Sequence, residues 1–159
     1  MVKDQIQRDL IPIRIYPFMT SDTLIYDLIE VECVFFAYQG SFEYWLFERT
    51  SGMIEPLSFD FAQKIEIQGN ERITPAVIRE DLSYELCGIP KMIEKKGIQS
   101  ICKGDAGGTC GAYAEFELDL ENLQFKKIKA KAKACTDQIS LSPMNTDPDH
   151  WPDAQTLKP

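Results

Sequence analysis

The side chains with chemical potential in this chain are few and scattered. There are five cysteines, Cys33, Cys87, Cys102, Cys110 and Cys135, and a single histidine, His150. Cys102 and Cys110 bracket the string CKGDAGGTCG, whose four glycines permit positive φ and close backbone approach. Such a loop can turn N–H groups toward an anion. No Gly-Lys-Ser/Thr follows at phosphate-loop spacing, so residues 104–111 read as a flexible connection between strands. Its two thiols have three fates: a disulfide, a metal-binding pair, or free thiols. The odd total and the lack of a Cys-x-x-Cys pair favour free thiols in a reducing compartment. Zinc would need two more ligands, and Cys33, Cys87 and Cys135 have no matching spacing. His150 lies among Asp147, Asp149 and Asp153, an oxygen-plus-imidazole set, but the prolines around it deny a pre-organised cage. No metal and no cofactor is expected.

Two other strings invite functional readings. GDAGG (104–108) resembles the Gly-Asp-Ser-Gly-Gly loop of trypsin-like serine proteases over five residues. Ala106 stands where the nucleophilic serine would be, and His150 follows the loop instead of preceding it, so the resemblance implies no Ser-His-Asp set. KKIKAKAK (126–133) suggests nucleic acid. A hairpin register explains it better. Pairing Leu120 with Gln124 brings Phe116 to Ile128, Ala114 to Ala130 and Ala112 to Ala132 on one face. On the other face Glu117 meets Lys127, Glu115 meets Lys129 and Tyr113 meets Lys131. Opposite charges across a ladder contribute about 0.2–1 kcal/mol per pair, and a one-residue slip would put lysines in the core. Leu118 opposite Lys126 breaks the pattern, so a bulge is expected near the turn.

The 159 residues fit one domain. With 17 basic against 25 acidic side chains, the net charge is -8. That argues against phosphate-backbone binding and suits a basic protein partner. No apolar run approaches the roughly 20 residues of a membrane helix, and the charged N-terminus lacks a signal-peptide core. No nucleic acid and no membrane partner is expected, and the compartment expected is the cytoplasm.

These residues must be positioned by an α+β fold, mainly an antiparallel sheet of hairpins with one principal helix. The first ten residues read as a short helix or an arm. Residues 11–18, with Pro12 and Pro17, read as an edge strand; residues 20–29 fit either a helix or a strand. Gly40-Ser41 as a two-residue turn would set Phe36 opposite Trp45, Phe35 opposite Leu46 and Glu32 opposite Arg49, with both faces apolar. Residues 57–67 alternate as one long strand or two short ones with one wet face, with Phe59 and Phe61 on the apolar side. Thr74 as N-cap, Pro75, the Ile78/Leu82/Leu86 stripe and Gly88 predict the helix, over about 75–87. KMIEKKG reads as a helical turn, and Ile98–Lys103 as a short strand. Residues 1–141 form the domain; 142–159 is an irregular or disordered tail unless Trp151 docks it.

The function expected is an acidic protein-binding module that neutralises or escorts a basic protein. Bacterial immunity proteins and secretion chaperones are small acidic domains of this general sort. Its candidate contact residues are the aromatic hairpin face, Phe36, Trp45 and Phe47, with Glu43 and Glu48 steering the partner. A small-molecule binder with an apolar pocket between sheet and helix is the alternative. A carboxylate- or cysteine-dependent enzyme is the third class; no catalytic residue is assigned.

Overall fold

In a computed structural model the described residues are 12–19, 25–35, 39–60, 78–79, 83–93, 97–133, 146–154 and 156–157. They form β1 (Ile13–Met19), β2 (Ile25–Phe35), β3 (Gly40–Glu48), β4 (Ile54–Phe59), β5 (Ile78–Arg79), β6 (Glu85–Ile93), β7 (Gly97–Lys103), β8 (Gly111–Asp119), β9 (Gln124–Lys133) and β10 (Thr156–Leu157). The expectations for residues 1–10, 20–24, Phe36, Phe61, 74–77, 80–82 and Cys135 lie outside the described residues.

Strand β3 organises the fold. One edge carries β2 along its length. The other carries β6 along residues 40–43 and β4 along 44–47, end to end. Phe59 and Ser83 exchange backbone hydrogen bonds and join those two strands. β4 then leaves β3 and runs parallel to β9 at Ser58 and Phe59. Antiparallel ladders from β9 through β8 and β7 to β6 complete the circuit. The result is a closed six-strand barrel, with β2 and the edge strand β1 extending the sheet beyond β3.

This corrects the α+β expectation. Ile78–Arg79 and Glu85–Ile93 are strand, where the principal helix was expected. The i, i+4 spacing is real, but β6 fills the part of β3's edge that β4 does not reach. Tertiary pairing overrides local propensity. Gly88 serves close packing inside β6 and ends no helix: at φ +121°, a Cβ there would lie 2.2 Å from the Ile101 carbonyl oxygen. Lys91–Ile93 continues β6, so the helical turn expected there is also overturned.

The cysteine expectation changes too. Cys87 on β6 and Cys102 on β7 form a disulfide across a Cα–Cα distance of 5.3 Å. Cys110 is also disulfide-bonded. Only Cys33 is a free thiol among the described cysteines.

The two hairpins fare differently. Gly40 and Ser41 are ladder residues, not a turn: Phe35 pairs with Gly40 and Val34 with Ser41. The hairpin register shifts accordingly, and Trp45 faces Ile29 while Leu46 faces Leu28. In the second hairpin the pairs Ala112–Ala132, Tyr113–Lys131, Ala114–Ala130 and Glu115–Lys129 form as expected. The bulge sits after Glu115, farther from the turn than Leu118. It leaves Ile128 59% exposed and lets Leu118 meet Phe125.

The interior is filled by rings. Phe59 stacks on Phe125 at 5.0 Å between centroids and meets Phe116 edge-on at 5.0 Å; Tyr44 meets Phe59 edge-on at 5.8 Å. Ala112 and Ala114 are fully buried beside them. Edge-to-face contacts add to area burial.

Residues 147–154 run along the free edge of β9. Ala132 N–H donates to the Pro152 carbonyl and Ala154 N–H to that of Ala130. Lys129 pairs with Asp149 and Lys131 with Asp153, and Trp151 is buried. No helix among the described residues is long and apolar enough to cross a membrane.

Candidate functional site

Alternation along β3 turns Phe42, Tyr44 and Leu46 inward and Glu43, Trp45 and Phe47 outward. The registers build three cross-strand rows on that outer face: Ile13, Val31, Glu43, Glu85; Ile15, Ile29, Trp45, Pro56; and Pro17, Asp27, Phe47, Ile54. Ile13, Ile15 and Ile54 are 59%, 60% and 53% exposed. Ile29, Val31, Trp45 and Phe47 are half-buried. The middle row is apolar across four strands. Contiguous apolar faces of this kind mark interaction sites on globular proteins.

The charges on this face divide into two sets. Asp27 is neutralised by Arg49, which donates from Nε and Nη2 at 2.8 and 2.7 Å. Glu43 and Glu85 stand directly opposite each other, and no ion pair joins either to a cation among the described residues. Like charges across a ladder destabilise it. Where β3's edge passes from β6 to β4, a notch of about 280 Å³ opens, lined by Glu43, Tyr44, Trp45, Pro56, Leu57 and Tyr84.

Of the residues expected from sequence, Trp45, Phe47 and Glu43 share this face. Glu48 falls on the opposite one, at the end of β3, where it accepts a hydrogen bond from Ser51 Oγ at 2.9 Å. Phe36 lies outside the described residues. Sequence reasoning missed Ile13, Ile15, Ile54, Pro56, Tyr84 and Glu85. The alternation in IPIRIY signalled the first two; the others depend on strand pairings across the barrel.

A second polar centre lies on the inner face. Glu30 is buried, accepting from Tyr44 Oη at 2.6 Å and from Arg14 Nη1 at 2.7 Å. Burial, with the Glu30 carboxylate beside it, pushes the Tyr44 hydroxyl far above its ordinary pKa, and the same carboxylate raises that of Arg14. The tyrosine therefore stays a protonated donor. With both carboxylate oxygens engaged, the centre ties β1, β2 and β3 together.

The other chemical candidates are accounted for locally. In the Gly-rich loop, Asp105 accepts from Thr109 N–H at 2.9 Å and from the Thr109 hydroxyl, so the loop's own carboxylate takes up both Thr109 donors. The tail acids Asp149 and Asp153 are committed to lysines, and no group of three metal-ligating side chains occurs among the described residues. The Cys33 thiol is pushed up by burial and by the nearby Glu43 charge, the reverse of an activated nucleophile. Comparison with family models, curated proteins and solved structures returns no match.

Proposed function

We propose that this chain is a protein-binding module that docks a basic protein on the outer face of β1–β4. The observation that carries this reading is the apolar row Ile15, Ile29, Trp45, Pro56, flanked by the like-charged pair Glu43–Glu85. Aromatic anchors within an apolar patch supply most binding energy at interfaces, and acids beside them steer a basic partner.

The compartment is proposed with it. Disulfides at Cys87–Cys102 and at Cys110 suit an oxidising environment better than the cytoplasm expected from sequence. The partner would be met there.

The test is capture from extract of the source organism with immobilised wild type, Trp45→Ala and Ile15→Asp. One basic protein should be retained by wild type, released by salt, and lost with either variant while both variants remain folded. Retention indifferent to both substitutions would remove this face as the docking site.

A further inference from the structure

We infer that the notch between β4 and β6 receives a single arginine side chain of the bound partner. This rests on the docking face proposed above and specifies its anchor. At about 280 Å³ the notch falls just below the roughly 300–1,000 Å³ of drug-sized ligand sites and suits one long side chain. Its lining combines what a guanidinium requires. Trp45 is half-buried and Tyr84 is 56% exposed, offering aromatic faces on which a planar cation stacks. Pro56 and Leu57 supply apolar surface for the methylene stem. Glu43 lines the same notch, and Glu85 stands opposite it in the ladder.

The position in the fold explains why this feature occurs here. β6 and β4 share one edge of β3, with Glu43 the last residue paired to β6 and Tyr44 the first paired to β4. The ladder is interrupted there, and the gap is the notch. Two carboxylates opposite each other cost folding stability, a cost that an incoming cation relieves on binding.

The probe is acetyl-arginine-amide, titrated into the full chain and followed by NMR at the Trp45 indole N–H and the Tyr84 resonances. Saturable shifts at both are expected, and the neutral citrulline counterpart should give none. Glu43→Gln and Glu85→Gln should each weaken binding about 2–5-fold, the range of an exposed ion pair, with the fold retained. Absence of saturable shifts at Trp45 and Tyr84, or equal shifts from the citrulline compound, overturns the inference. If capture depends on Trp45 but the arginine probe leaves Trp45 and Tyr84 unshifted, the notch assignment fails alone. If capture is indifferent to Trp45→Ala, the docking face itself fails.

Discussion

Removing the Cys87–Cys102 bond tests the barrel where the local sequence argued most strongly against it. The bond joins β6 to β7 across a sequence separation of 15, over a Cα–Cα distance of 5.3 Å that their pairing as neighbouring strands supplies. A loop of that length, once opened, releases about 3 kcal/mol of denatured-state constraint. With 159 residues and about 2.1 cal/mol/K of unfolding entropy per residue, that corresponds to a fall in Tm of about 9 °C. The perturbation is Cys87→Ala/Cys102→Ala, which leaves the bond at Cys110 intact where a reducing agent would not. Differential scanning calorimetry reads the change. Non-reducing peptide mapping of the wild type should recover the Cys87 and Cys102 peptides joined, with Cys33 open to alkylation. A fall in Tm under about 2 °C, or Cys87 and Cys102 both alkylated in the native protein, would refute the bond between them.

Tyr44→Phe leaves the buried Glu30 with Arg14 alone and should cost about 1.5–3 kcal/mol, the range of a hydrogen bond to a charged group. In urea unfolding, the Tyr44→Phe/Glu30→Ala double variant should lose less than the two singles combined; strict additivity would mean that the two side chains act independently. The tail should respond to acid. Lys129 and Lys131 hold the Asp149 and Asp153 carboxyls below their ordinary value of 3.8. Their stabilising contribution is therefore present above that pH and lost as pH falls through the lowered folded-state values. Trp151 fluorescence, read in a Trp45→Phe background, should shift to the red below pH 3.8. The Lys129→Ala/Lys131→Ala variant should lack that component, and an identical acid profile in both proteins would show that the lysines do not hold the tail.

Much of the local structure was legible because period-2 patterning and charge pairing are local signals. Pro12 and Pro17 marked β1 as an edge, and it is the outermost strand. Glu115 opposite Lys129, with alanines behind, set the outer half of the β8–β9 ladder. The bulge was misplaced because its position is decided by Phe125, which must reach the barrel interior beside Phe59. Gly40-Ser41 carried a turn signature, yet both residues became ladder members because β6 and β2 claim the two edges of β3. Trp45, Phe47 and Glu43 were legible as one face from alternation alone. Their neighbours Ile54, Pro56, Tyr84 and Glu85 were not, since pairings across the barrel bring them alongside.

By itself the sequence determined the chain's acidity, its strand-rich character, the pairing of Lys129 and Lys131 on β9 and the shared face of Trp45 and Phe47. Each follows from alternation or from charge, which act between near neighbours. Only the tertiary structure decided that residues 85–93 are strand. A segment with both helical spacing and β-compatible residues takes whichever state its partners complete, and here the open edge of β3 and the thiol of Cys102 complete a strand. The same decision created the notch, because two strands must share one edge of a third for the ladder to break beside Glu43.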